Sequence, residues 1–194
     1  ADGDRRLLFV GDAAEAARRW PDADERDVGF ALSPPPVNAH THLDLSTLPP
    51  VEDDYEAFVR AVIAHGRAGR RGVDAARAGL DELRAAGTTT FGDIVADEAT
   101  MRFLLAQPGL RGVAYWEVFA PDPAEADAAF DATVARLRAF RELERPDGLR
   151  VGLSPHAPHT VSAPLLQRLA RLAAANAVPM QIHVAESPSE ARLH

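Results

Sequence analysis

The stretch Pro36-Val37-Asn38-Ala39-His40-Thr41-His42-Leu43-Asp44 decides how this chain is read. Val37 and Ala39 are the branched or small apolar residues of a buried strand. His40 and His42 stand two apart, and residues i and i+2 of a strand point to the same face. Both imidazoles can therefore meet one metal ion. A His-x-His taken alone matches by chance often, and such a pair hydrogen-bonds as readily as it ligates. A second stretch, Pro179-Met180-Gln181-Ile182-His183-Val184-Ala185-Glu186, changes that balance. It also reads as a short buried strand, and Glu186 follows His183 by three residues. A site that activates water needs neutral imidazole ligands and a carboxylate beside the water to move its proton. His40, His42 and His183 can supply the ligands and Glu186 the carboxylate. Singly, His183 reads as a core histidine and Glu186 as a helix-start carboxylate. Together, after matching strands, they read as a site.

Working outward, the 194 residues suffice for one sizeable core, and 46% hydrophobic with 26% charged residues is ordinary for a soluble globular domain. A net charge of −8 argues against a nucleic-acid surface, though not against a small nucleoside held in a pocket. The absence of cysteine removes both a disulfide frame and a thiolate zinc site. No apolar run is long enough to span a bilayer, and Ala1 to Arg6 lacks the apolar core of a secretory signal. The expectation is a soluble cytoplasmic protein with a small-molecule substrate and no nucleic-acid or membrane partner. Oligomeric state is not readable.

The remaining chain alternates short apolar strands with amphipathic helices. Before the His-x-His stretch, Leu7 to Gly11 and Arg26 to Leu32 read as strands, and Ala13 to Trp20 as a short helix or a loop. Pro34-Pro35-Pro36 leads stiffly into the first strand of the repeat. Asp53 to Arg84 reads as two helices or one broken one, with Gly66, Gly69 and Gly72 weakening its middle and Gly87 as the C-terminal cap. Strands follow at Thr88 to Val95, Gly112 to Phe119, Leu149 to Ser154 and Val178 to Val184. Helices lie at Glu98 to Gln107, Pro123 to Glu144 and Ala163 to Asn176. Such alternation predicts a parallel sheet with crossover helices. No Gly-x-Gly-x-x-Gly follows a strand, which counts against a dinucleotide fold. The candidate chemistry sits at strand C-terminal ends, where barrel enzymes place it, yet the pattern alone does not separate a barrel from an open doubly wound sheet.

Val37 to Leu43 and His183-Val184-Ala185-Glu186 resemble the first-strand and fifth-strand motifs of the amidohydrolase superfamily. Ser154-Pro155-His156-Ala157-Pro158-His159-Thr160-Val161-Ser162 resembles the fourth-strand motif of its chlorohydrolase and nucleoside-deaminase branch. The resemblance runs over essentially the whole chain. It implies a (β/α)8 barrel of the TIM type, of which about five βα units are present. Residues 1–33 would be part of a small flanking β-domain and residues 34–194 the N-terminal portion of the barrel. A complete barrel takes about 250 residues, so the chain reads as truncated at its C-terminal end, with Pro188 to His194 starting a helix.

The same resemblance assigns roles. His40, His42 and His183 would ligate one divalent ion, zinc first, with iron or nickel also suited to imidazole. Glu186 would be the general acid/base, as in the deaminase branch, and His156 would contact the substrate near the reacting centre. Glu117 and Asp93, near strand ends, would line the pocket or merely cap. Asp44 would hydrogen-bond a ligand histidine or stand as a plain loop residue. His159 reads as structural or as supporting the site, and His65 and His194 as neither. The family's strand-six His and strand-eight Asp lie beyond residue 194, and no Lys stands where a bridging ligand would, which favours a single ion. The implied reaction is hydrolytic deamination of a nucleobase- or nucleoside-like compound. The alternatives are the same machinery on a C–Cl or amide bond, or an inactive fragment that only binds metal.

Overall fold

The computed structural model describes residues 7–29, 31–51, 55–188 and 190. The chain divides into two compact units, Ala1–Pro34 and Pro35–His194. In the first, helix α1 (Ala13–Arg19) is capped by Asp12, whose side chain accepts from the Glu15 N–H at 3.1 Å. The Phe9 ring lies 5.9 Å from that of Trp20 and beneath the Arg19 guanidinium. The strands expected at Leu7 to Gly11 and Arg26 to Leu32 do not form among the described residues, and Leu7, Leu8 and Val10 are exposed. An apolar run makes a strand only when another strand takes its backbone groups, and neither segment pairs with the other.

The second unit is an α/β layer. Strands β1 (Val37–Thr41), β2 (Thr90–Val95), β3 (Arg111–Val118) and β4 (Arg150–Pro155) form one parallel sheet in the order β1-β2-β3-β4. Helices α2 (Tyr55–Arg67) and α3 (Val73–Ala85) link the first two strands, and α4 (Glu98–Leu105), α5 (Ala126–Arg141) and α6 (Ala163–Ala175) follow β2, β3 and β4. The glycine-rich break between α2 and α3 holds Gly69 and Gly72 at positive φ, and Gly87 caps α3 at φ +74°. A 3-10 turn at Pro123–Glu125, capped by Asp122, introduces α5, so that helix starts later than its sequence pattern suggests.

Strand order and helix placement decide between the two α/β architectures. Ala76 and Leu80 of α3, Met101 and Leu104 of α4, Leu137 and Phe140 of α5 and Leu165 and Leu169 of α6 all enter one apolar cluster. With them are Phe91, Val95, Ala114, Trp116, Val118, Val151 and Leu153, the alternate residues on one face of the sheet. The helices α3 to α6 therefore cover a single face and the strands run in sequence order. A doubly wound sheet would reverse its order and carry helices on both faces. The architecture is the TIM-barrel type expected.

Two strands differ from expectation. Val37 is 65% exposed, because β1 forms an edge of this sheet rather than a buried strand. The segment Val178 to Val184 is not a full strand. It runs parallel beside β4 but makes only the isolated bridge Leu153–Met180, with the Leu153 N–H donating to the Pro179 carbonyl (2.9 Å) and the Gln181 N–H to the Leu153 carbonyl (3.0 Å). Pro179 has no N–H for the ladder. Four βα units are thus formed and the fifth is reduced to a bridge. Of the expected C-terminal helix start, Pro188 and Glu190 lie in a 3-10 turn and the rest falls outside the described residues.

Candidate metal and substrate site

On the face that α3 to α6 leave free, at the C-terminal ends of the strands, a cleft of about 830 Å3 opens, with α2 along one wall. His40, His42, Glu117, His156, His183 and Glu186 all line it. Asp93, the other strand-end carboxylate, does not. It points to the helix-covered face, where its Oδ1 accepts the Leu43 N–H at 2.8 Å and so ties down the chain just past His42. Burial, first, then the charges of Asp44 and Glu117 push its pKa well up, against the Leu43 hydrogen bond.

His40 and His42 reach the cleft by way of a bulge. Asn38 pairs with Phe91 and Thr41 with Asp93, so three steps along β1 meet two along β2. Bulges of this kind re-aim side chains beside functional sites. The ligand atoms of His40, His42 and His183 all lie within 4.8 Å of one another. His42 Nε2 stands 3.2 Å from His183 Nε2. Two nitrogens bound to one tetrahedral ion at about 2.0–2.1 Å stand roughly 3.3 Å apart, so this spacing fits a shared divalent cation.

Hydrogen bonds on the far side of two rings select the tautomer that ligation requires. His183 Nδ1 donates to the His156 carbonyl at 2.8 Å, leaving Nε2 as the bare nitrogen toward His42. His40 Nδ1 meets Gln181 Oε1 at 3.2 Å. The Gln181 amide is itself oriented, because its Nε2 donates to the Ala39 carbonyl at 2.9 Å. His40 therefore also turns Nε2 outward. Burial, then the neighbouring His183 and His40, lowers the pKa of His42 to about 3. All three observations suit a neutral-imidazole ligand set.

His156 lies one residue past the end of β4. Thr160 Oγ1, whose hydroxyl donates to the Ala157 carbonyl (3.2 Å), accepts from His156 Nδ1 at 2.7 Å. The His156 Nε2 is then a hydrogen-bond acceptor. Its ring stacks on Phe119 at 4.3 Å, and burial, then the nearby His183 and His159, lowers its pKa to about 4. Glu117, at the end of β3, is 7% exposed, and its Oε1 has no hydrogen-bond partner among the described residues. Burial raises its pKa to about 7, opposed by Arg71 and assisted by Asp44. Below about pH 7 it is mainly the carboxylic acid, which can donate. Donor and acceptor thus stand together, since ligand atoms of Glu117, His156 and His183 lie within 4.8 Å of one another.

Glu186 is exposed on the cleft wall, where it meets the Tyr55 hydroxyl; burial, then the Glu186 charge and hydrogen bond, raise the pKa of Tyr55. Asp44 hydrogen-bonds no ligand histidine. It is buried against Arg71, which donates through Nε at 2.8 Å and approaches through Nη2 at 2.6 Å. His65 is buried and bonds Thr47 Oγ1 at 2.9 Å, away from the ligand cluster. His159 lines the cleft beside Glu190, and His194 lies outside the described residues. Sequence reasoning missed Gln181, Tyr55 and Arg71. Gln181 was findable, because it stands two before His183 and so shares its face.

The chain is 45% identical over 184 residues to aminodeoxyfutalosine deaminase of Deinococcus radiodurans, covering 95% of this chain and 44% of that one. It is 31% identical to a 5-methylthioadenosine/S-adenosylhomocysteine deaminase of Nitratidesulfovibrio vulgaris, over 95% of this chain and 43% of the relative. The chain thus spans less than half the length of these relatives. Among solved structures, aminofutalosine deaminase of Helicobacter pylori bound to methylthio-coformycin superposes with a TM-score of 0.65 at 22% identity, over 80% of this chain and 38% of that one. The zinc complex of atrazine chlorohydrolase from Arthrobacter aurescens gives 0.65 at 20% identity, over 81% and 42%. Residues 31–193 match the model of the amidohydrolase family, and the chain belongs to that family.

Proposed function

We propose that this chain carries the metal site and the proton-transfer carboxylate of a hydrolytic deaminase acting on adenosine-type nucleosides that lack a 5′-hydroxyl. The observation that carries this reading is the convergence of His40, His42 and His183 on one point, with His40 and His183 turned to present Nε2. Family relatives point the same way for the substrate. They include deaminases of 5-methylthioadenosine and of 5′-deoxyadenosine, whose named substrates share an adenine amine and a 5′ position without oxygen.

His40, His42 and His183 would hold one divalent ion, zinc first by its preference for tetrahedral nitrogen sets. Such an ion would acidify water enough to supply a nucleophile near neutral pH. Glu117 donates to, and His156 accepts from, the polar edge of the substrate ring, which orients the amine-bearing carbon. Glu186 takes the proton from water as its oxygen bonds that carbon. It then returns the proton to the departing nitrogen, so the C–N bond breaks and ammonia leaves.

The test is Glu186→Gln in the natural full-length protein, assayed for ammonia release from 5′-deoxyadenosine, 5-methylthioadenosine and adenosine. Turnover falls by about 10²- to 10⁴-fold while metal content is retained. Unchanged turnover rules out the role of Glu186, and absence of ammonia from every nucleoside in the wild type rules out the substrate class.

A further inference from the structure

We propose that Glu190 is a positioning residue that fixes the Glu186 carboxylate in the cleft. The inference rests on the reading of Glu186 as the proton-transfer group. Glu186 follows Ala185, whose backbone lies at φ +56°, a conformation L-residues other than Asn and Asp rarely adopt. The segment around it is not paired in a ladder, so strand geometry does not hold Glu186 in place. Glu190 does. Its Oε2 accepts the Glu186 N–H at 2.7 Å. Its own N–H donates to the Ser187 carbonyl at 3.1 Å, which closes the turn.

The Glu190 carboxylate is itself buried. It is 5% exposed, and its Oε1 lies 3.7 Å from His159 Nδ1, in the loop that follows β4. A buried carboxylate thus bonds the backbone of Glu186 beside the loop that bears His156. Fixing the Glu186 N–H fixes the start of that side chain and limits where its carboxylate can swing.

The test compares Glu190→Ala, Glu190→Gln and Glu186→Gln in the natural full-length protein. Readouts are kcat and KM for 5′-deoxyadenosine, metal content, and hydrogen exchange of the Glu186 amide. A misplaced catalytic group costs up to about 10²-fold, so Glu190→Ala lowers kcat by roughly 10- to 100-fold with KM within about threefold. Metal content stays unchanged and the Glu186 amide loses protection. Glu190→Gln keeps an acceptor for that amide and recovers kcat to within about threefold of wild type. Wild-type kcat in Glu190→Ala beside an inactive Glu186→Gln overturns this inference alone. Full activity in Glu186→Gln overturns the reading of Glu186, and this inference with it. Loss of metal or of global protection in Glu190→Ala shows a merely structural role and also overturns it.

Discussion

Strands β2, β3 and β4 turn two faces to two different environments. On the helix-covered face, Phe91, Val95, Trp116, Val118, Val151 and Leu153 are buried in one apolar cluster, with the Trp116 ring 5.3 Å from Phe140. On the cleft face, the alternate positions include Gly92, Glu117, Gly152 and Ser154. The first face is built to hold the sheet, each large buried apolar side chain contributing about 1.5–3 kcal/mol. The second also buries Ile94 and Tyr115, but it carries polar groups among them. Among the described residues, Glu117 Oε1 and Ser154 Oγ there are buried without hydrogen-bond partners, as Asp93 Oδ2 is on the first face, each a loss of about 1–3 kcal/mol.

The glycines show what the cleft face gains in exchange. A Cβ on Gly92 would stand 2.5 Å from the Ala39 carbonyl oxygen, and one on Gly152 would stand 2.8 Å from the Pro179 carbonyl oxygen. Ala39 precedes His40, and Pro179 leads into Gln181 and His183. The two missing side chains therefore let both histidine-bearing segments close over the sheet. One face spends its positions on packing and the other on approach.

Breaking the packed face has the largest effect. Phe91→Ala empties a fully buried site in the cluster and should destabilise the fold by about 3–5 kcal/mol in denaturant unfolding. Its folded fraction should still bind metal with wild-type stoichiometry. Loss of metal from that fraction would mean the two faces are not separable.

Breaking the approach is milder for the fold and worse for the site. Gly92→Ala meets a backbone oxygen that cannot rotate away, so β1 must shift. Overpacking of this kind costs about 1–3 kcal/mol. The shift moves His40 and its partner Gln181, so metal affinity should drop further than stability predicts. Equilibrium metal titration beside thermal unfolding separates the two quantities. Wild-type affinity in the variant would mean the glycine matters for packing only.

The meeting of His40, His42, His183 and Glu186 in one cleft was legible because their motifs sit at strand C-terminal ends. The β1 bulge was not, since nothing in Asn38-Ala39-His40-Thr41 announces that three steps there face two in β2. Nor was the covered side of the sheet: amphipathic helices pack equally well on one face or two. The pairing of Asp44 with Arg71 joins residues 27 apart across the α2–α3 break and has no local signature. The N-terminal strands were misread because an apolar run such as Leu7 to Val10 specifies half of a pairing and leaves the partner open.

A third variant tests the buried carboxyl on the cleft face. In the metal-free protein, burial holds the pKa of Glu117 at about 7, above its ordinary 4.5. The folded state therefore keeps a proton that the unfolded chain has released between those values. Its contribution is fully present below about pH 4.5 and is lost as pH rises through about 7. His42 and His156 tilt the other way. Their pKa values are lowered to about 3 and about 4, so their contributions are present above their ordinary 6.5 and lost as pH falls. Wild-type stability alone mixes these opposing slopes. Glu117→Gln isolates one of them, because the amide does not titrate and both histidines remain. The variant should gain on the wild type as pH rises from about 4.5 to about 7 and then hold level. A shift from 4.5 to about 7 amounts to about 3 kcal/mol, or roughly 6–12 °C in Tm for a chain of this length. Thermal unfolding of both chelator-treated proteins between about pH 4 and 8 reads the difference directly. A flat difference across that range would mean Glu117 is ionised in the folded state, and the cleft would then present an acceptor where a donor is inferred.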